Sequence, residues 1–359
     1  MECGQCGARF AVPQGASTVQ CAHCHGVTRV ERHGAVGFVR DIVTNIAGGR
    51  RTRPQLPAGP RRFSGVGYPI VHGHKRALLV GINYTGTEDE LQGPINDVNC
   101  MKFLLTLKYG FPSDCILVLT DEERNPNRRP TKSNILLAMR WLVYGCSSGD
   151  SLVFHFSGHG TQVDDQDGDE LDGKDEAICP LDGDLNGYIR DDEINEAIVR
   201  PLVHGVTLHA IIDACRSGTV LDLSNLWQKN KYGKFQWVDQ NARTGAWKST
   251  SGGHAILISG CAEDDDSQDG VGDDTMVMGA LTYSFFAAAW SAHRPLTYGQ
   301  LLSKTRAIIA DCNSDSQSHC NLPAAIAPLV RNVVNFSGVQ EPQLSSSDKF
   351  DINRRTFML

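Results

Sequence analysis

A chain of 359 residues, 41% hydrophobic and 21% charged, has the apolar content of a soluble globular protein and room for one large or two smaller domains. Its net charge of −7 hides an asymmetry: residues 1–73 hold nine Arg, no Lys and three acids, hence +6, leaving −13 for the remainder. No apolar run approaches the ~20 residues of a membrane span, MECGQCGARF lacks the basic start and apolar centre of a secretory signal, and the twelve cysteines therefore point to reduced thiols, metal ligands or catalysis in an intracellular protein.

Residues 1–30 read as a small cysteine-rich module. Cys3-x2-Cys6 and Cys21-x2-Cys24, fourteen residues apart, have the spacing of a four-thiolate structural zinc site, in which ligation folds a segment too small to hold a core. Residues 31–73 follow as a flexible linker rich in Gly, Pro and Arg. Its positive charge reads as that of a solvated connector rather than a nucleic-acid arm.

From His74 onward short apolar runs alternate with helical patterns. KRALLVGINY (75–84) predicts a strand and PINDVNCMKFLLTLKYG (94–110) a helix ended at Gly110. CILVLTD (115–121) is a second strand and TKSNILLAMRWLVYG (131–145) a second helix. DSLVFHFSGHG (150–160), VTLHAIIDAC (206–215) and HAILISGC (254–261) are further strands, and helices follow at 280–290 and 297–311. Near-continuous apolar strands alternating with helices predict an α/β fold, a mostly parallel central sheet flanked by helices on both faces. Residues 224–253, basic and ending in Ser and Gly, break the alternation and are expected to form an exposed linker.

In such sheets function gathers at the carboxyl ends of the strands, and His159 and Cys215 both fall there. A cysteine acts through its thiolate, and a neighbouring imidazole both favours that thiolate and returns the proton to the leaving group. Cys261 occupies a comparable strand end, but no histidine is matched to it in the sequence. Residues 164–193 carry thirteen acids against Lys174 and Arg190. So dense a cluster of hard oxygen ligands favours Ca²⁺. DGDLNGYIRDDE (182–193) also fits the EF-hand template through Asp182, Asp184, Asn186, Gly187 and Glu193. An EF-hand needs a helix entering the loop, whereas AICPL ahead of it reads as a strand broken by Pro180. The second acidic run, 262–274, reads as a surface loop.

ALLVGINY, LQGPINDV, VFHFSGHG, DEAICPLD, GYIRDDEI, IIDACRSGTVLDL and ILISGCAEDD, in order from about Lys75 to Phe336, resemble a type I metacaspase, most similar to the plant members. The resemblance implies a caspase-like fold with a large catalytic part at 74–223 and a small one at 254–359. It implies a cysteine endopeptidase with Cys215 as nucleophile, His159 as general acid/base and the backbone N–H groups of Gly160 and Cys215 as oxyanion hole. Asp97, Ser157 and Asp213 would line a pocket for Arg or Lys. Asp175, Asp191, Asp192 and Asp222 would bind activating calcium, and the basic residues Lys229, Lys231, Lys234, Arg243 and Lys248 become candidates for self-cleavage. CGQCGARFAVPQGASTVQCAHC is similar to the lesion-simulating-disease-type zinc finger of the plant members, which implies a zinc-ribbon-like, protein-binding prodomain. A monomer, acting in cell death and stress responses in cytoplasm and nucleus, is the family expectation.

One position departs from the family pattern: Arg216 stands where a histidine usually follows the catalytic cysteine. A permanent cation there favours the thiolate or opposes a basic substrate. It also keeps open an alternative, a regulatory binding module acting without proteolysis.

Overall fold

Strands buried on both faces are apolar at most positions, and the central strands of this chain follow that rule, with buried polar exceptions such as Arg76, His155, His209 and Asp213. The computed structural model describes residues 18–20, 27–29, 63, 67–166, 168, 170, 173–241, 248–261, 279–313 and 341–359. Two units are distinguished, Met1–Gly59 and Pro60–Leu359. In the first, β1 (Thr18–Gln20) pairs antiparallel with β2 (Val27–Arg29). Cys21 and Cys24 fall in the sequence between these strands; with Cys3 and Cys6 they lie outside the described residues.

The second unit is built on β3 (Lys75–Gly81), β4 (Ile116–Thr120), β5 (Ser151–Ser157), β9 (Thr207–Asp213) and β12 (His254–Cys261), all parallel to their neighbours in the order β12-β9-β5-β3-β4. Between β5 and β9, a small antiparallel sheet forms from β6 (Gly160–Asp164), β7 (Lys174–Ile178) and β8 (Ile189–Arg190). Alternation along β3 sorts the core. Ala77 and Leu79 face a layer with helices α1 (Pro94–Leu107), α5 (Ala280–Trp290) and α6 (Tyr298–Asn313). Leu78 and Val80 face the opposite layer with α2 (Lys132–Val143). Two short helical turns, α3 (Gly183–Asn186) and α4 (Asp191–Ile194), border that layer. From β4 the chain crosses back over β3 to reach β5, so the strand order reverses beside β3 and opens a crevice at its carboxyl end.

Two expectations about connectors fail. Residues 225–239 are not a linker: β10 (Asn225–Lys229) and β11 (Phe235–Asp239) form a hairpin that extends the central sheet through β13 (Glu341–Ser346). The cause is alternation, since Trp227 pairs with Trp237 at 5.2 Å and stacks on Phe235 at 6.2 Å while polar residues face out. Nor does the linker of 31–73 run to its expected end. Tyr68 and Val71 are buried in the α2 layer, the Tyr68 hydroxyl donates to the carbonyl of Asn127 at 3.1 Å, and the Trp141 indole donates to Pro69 O at 2.9 Å. Among the described residues, no helix is long and apolar enough to cross a membrane.

Trp141 is fully buried and ties the segment before β3 to α2. Trp141→Ala is expected to cost about 3–5 kcal/mol in urea unfolding; a loss under about 1 kcal/mol would show that the site collapses around the gap.

Candidate active site

The loops after β5 and β9 are stitched together by backbone. Gly158 N donates to Asp213 O at 3.2 Å, and a Cβ built on Gly160 would stand 2.2 Å from Cys215 O and 3.2 Å from the Ala214 Cβ. Only a residue without a side chain lets these turns meet, and that contact brings His159 and Cys215 to one cleft. The His159 Nε2 lies 2.8 Å from Asp89 O. A carbonyl can only accept, so Nε2 carries the hydrogen and Nδ1 is left as the basic nitrogen.

Tyr84, a residue the sequence reading passed over, braces this arrangement. Its ring packs on the imidazole at 4.8 Å between centroids, its oxygen accepts from His159 N at 3.0 Å, and its hydroxyl donates to Cys179 O at 2.6 Å. Cys179 N in turn donates to His159 O at 3.0 Å, closing the circuit. Tyr84 holds φ at 52°, a left-handed conformation costly for a bulky residue, which the surrounding bonds impose. Arg216, in the left-handed region at φ 51°, is exposed and points its guanidinium to Gln162 Oε1 at 3.5 Å.

Asp97, Ser157 and Asp213 converge below this cleft and are all buried. Ser157 Oγ donates to Asp97 Oδ2 at 2.6 Å, Gly279 N donates to Asp97 Oδ1 at 3.0 Å, and Thr282 N donates to Asp213 Oδ2 at 2.7 Å. A Cβ on Gly279 would stand 2.2 Å from one carboxylate and 2.8 Å from the other, so Gly279 sits between them. Burial, with the neighbouring charge of Asp213, pushes the Asp97 carboxyl well above the usual carboxylate range, and burial raises Asp213 too. Two carboxylates so desolvated make a seat for a guanidinium or ammonium group.

Against known proteins, residues 75–224 match the metacaspase peptidase C14 domain family and residues 3–27 the LSD1 zinc finger family. Metacaspase-1 of Arabidopsis thaliana is 41% identical over 366 residues, covering 100% of this chain and 96% of that protein. The chain belongs to the metacaspase family. Metacaspase-3 of the same plant is 42% identical, covering 99% of this chain and 98% of that protein, and Metacaspase-2 is 44% identical, covering 81% and 74%. This metacaspase is therefore a caspase-like cysteine endopeptidase acting on protein substrates, with an LSD1 zinc finger preceding its peptidase domain.

Beside the cleft of this metacaspase lies an acidic centre. Asp175, Asp191 and Asp192 each offer a carboxylate oxygen within 4.8 Å of the others. Burial, aided by the charge of Asp192, raises Asp175 to about 6. Burial, with Glu176 and Asp222 nearby, raises Asp191 to about 9. Asp175 Oδ2 receives Arg190 at 3.3 Å, while its Oδ1 is buried without a hydrogen-bond partner. Hard oxygen donors held at this spacing, one of them orphaned, suit Ca²⁺.

Asp222 lies beside that set, near enough for its charge to raise Asp191. Its Oδ1 is held at 2.7 Å by the ammonium of Lys248. Lys248 itself, a candidate cleavage position, is only 2% exposed, so its peptide bond offers a protease little. Lys229, Lys231 and Lys234 are exposed along the β10–β11 hairpin, and Arg243 lies outside the described residues, as does 262–274. The EF-hand register carries no ligand set. Asp182 accepts from Lys132 N at 2.7 Å and from Asn186 Nδ2 at 2.8 Å, and Glu193 accepts from Lys132 Nζ at 3.0 Å. These carboxylates serve the start of α2 and the turn α3, and strand β7 precedes them instead of a helix.

Gly160→Ala is expected to lower kcat/KM at least about 100-fold on any substrate the enzyme cleaves, because the methyl group forces the two turns apart. Steady-state kinetics beside a circular dichroism spectrum checks this; near-normal activity in a folded variant would overturn the contact.

Proposed function

We propose that this metacaspase is a calcium-activated endopeptidase cleaving after Arg or Lys, with Cys215 as nucleophile and His159 as general acid/base. The specificity rests above all on the buried pair Asp97 and Asp213 with Ser157 between strand end and helix. A basic side chain entering this seat replaces the hydration that burial removed from the carboxylates, and the matching scissile carbonyl then lies at the rim that Cys215 occupies.

Chemistry follows from the tautomer. His159 Nδ1 takes the Cys215 thiol proton, and the thiolate sulfur bonds to the scissile carbon while the carbonyl π pair moves onto oxygen. The N–H groups of Gly160 and Cys215 receive that oxyanion. As the tetrahedral carbon collapses, the C–N bond breaks and His159 gives its proton to the leaving amine, leaving a thioester. Water, deprotonated by His159, then attacks the thioester, and the sulfur departs with its proton restored. The Asp89 carbonyl and the Tyr84 ring hold the imidazole in plane throughout.

Asp175, Asp191 and Asp192 would hold calcium, with Asp222 as a fourth carboxylate. The ion supplies charge neutralisation there, letting acids that resist ionisation stay ionised next to the loop that follows Cys215. In the amino-terminal unit Cys3, Cys6, Cys21 and Cys24 would hold zinc, making a protein-binding regulatory module. A monomer working in regulated cell death and stress responses, in cytoplasm and nucleus, completes the reading.

Fluorogenic peptides ending in Arg, Lys or Asp, assayed with millimolar calcium or with chelator beside Cys215→Ala, test the proposal. Calcium-dependent release after Arg and Lys, absent from the variant, is expected. Release after Asp would sink the acidic pocket. Silence on all three from folded protein would favour a regulatory binding role.

Asp97→Asn separates recognition from stability. Its kcat/KM for the Arg peptide should fall about 100-fold, or about 2.7 kcal/mol. Because burial raises both carboxyls in the folded state, the stability these two groups contribute is fully present below the ordinary carboxylate range and is lost as pH rises through the raised values. The variant should therefore melt higher than the parent at pH 8, with the gap closing toward pH 4. A variant melting lower at pH 8 contradicts the assignment of a strained buried charge.

A further inference from the structure

Lys248 is the most deeply buried cation near the cleft that the catalytic scheme leaves without a task. Its side chain is 1% exposed, and its Nζ lies 2.6 Å from Glu170 Oε1 and 2.7 Å from Asp222 Oδ1. Burial works against its charge, but the hydrogen bonds it donates to Asp222 and Glu170 outweigh that and hold the ammonium above its ordinary pKa. Backbone follows side chain: Ser224 Oγ donates to Lys248 O at 2.8 Å, fastening the lysine to the loop that leads from Cys215 to β10.

That loop is also tied to the acidic centre. Asp222 lies seven residues after Cys215 and adopts φ 49°, a left-handed conformation a non-glycine residue holds only when its surroundings insist. The Asn195 amide, one residue past α4, donates to Asp222 O at 2.8 Å and to Leu221 O at 3.0 Å. Glu176, whose own N–H donates to Asp191 Oδ2 at 3.0 Å, bonds the hydroxyl of Thr219. One carboxylate, Asp222, thus carries a seated ammonium while its charge also acts on Asp191, one of three acids gathered closely enough to receive a divalent cation.

We propose that Lys248 is a resident cation that competes with calcium for Asp222, so that calcium binding expels its side chain and frees residue 248 from the loop that follows Cys215. The inference rests on the calcium reading given above and adds its regulation. An ammonium and a calcium ion on the same carboxylate repel at close range, and the low-dielectric surroundings leave that repulsion poorly screened. Occupancy of one therefore lowers affinity for the other, by the same factor in both directions. In the calcium-free protein the lysine neutralises Glu170 and Asp222 and is itself held down. In the calcium-bound protein it moves to solvent, where its peptide bond becomes a substrate for a protease that cuts after lysine.

The test uses the full chain carrying Cys215→Ala, so that no self-cleavage intrudes. Trypsin is added with chelator or with saturating calcium, and the fragments are mapped by mass spectrometry. Cleavage after Lys248 should accelerate at least about tenfold in calcium, while cleavage after Lys231 and Lys234, exposed in the hairpin, stays unchanged. Calorimetric titration of calcium into Lys248→Met should give an affinity about tenfold tighter than in the parent chain, and Lys248→Arg, which keeps the charge, should bind like the parent. Calcium binding of equal strength in the parent and Lys248→Met, with Lys248 equally protected from trypsin in both conditions, overturns the inference and leaves the calcium reading standing. No calcium binding by parent or variants overturns both. Should Lys248→Met fail to fold, the trypsin map of the parent alone decides.

Discussion

A carboxylate taken out of water resists ionisation unless a cation or several donors replace its lost hydration. Asp97 and Asp213 are taken out almost completely, and the amides of Gly279 and Thr282 together with the Ser157 hydroxyl replace that hydration in part. This constraint recurs around the cleft. The same logic describes Asp175 and Asp191, raised by burial and by each other's neighbours, and Asp222 and Glu170, met by Lys248. On the reading proposed above, three buried acidic sites look to three sources of positive charge, a substrate side chain, an inorganic ion and the chain's own lysine, and cleavage, activation and restraint become variations on one electrostatic problem.

What places these sites so close is the topology. Because the strand order reverses at β3, the carboxyl ends of β3, β5 and β9 surround one crevice, with α1 starting above it to deliver Asp97. The small sheet β6-β7-β8 is inserted directly after His159 and carries the acids outward from Gly160. β6 leaves His159 and pairs with β7, where Val163 lies opposite Asp175, so one short ladder joins the histidine turn to the acidic centre.

Much of this was legible in the sequence, for reasons specific to the residues. Strands such as KRALLVG and SLVFHFS carry unbroken apolar runs (ALLV, LVF) because both faces are covered, and that pattern has few other readings. His159 and Cys215 carried the signal of glycine-flanked turns at strand ends. The hairpin of β10 and β11 was missed because its aromatic alternation is diluted by Lys, Asn and Gln, and β13 because Pro342 and two serines do not resemble a strand. Tyr84 gave no sign, since its role is a pair of hydrogen bonds to backbone 75 and 95 residues away. Asp222 was placed with the calcium acids, and its capture by Lys248 depends on a contact that spacing does not encode.

β13 carries one more consequence. It lies between β12 and β10 in the sheet, and Ser345 Oγ donates to Gly218 O at 3.1 Å, three residues past Cys215, while Gln343 lies against Gly218 itself. The turn that presents the thiol is thus clamped by a strand synthesised more than a hundred residues after it. During translation, a chain that has already delivered His159 and Cys215 lacks that clamp until residues 341–346 leave the ribosome, and non-local pairing of this kind forms late. A protease built this way stays unfinished until that strand has joined the sheet.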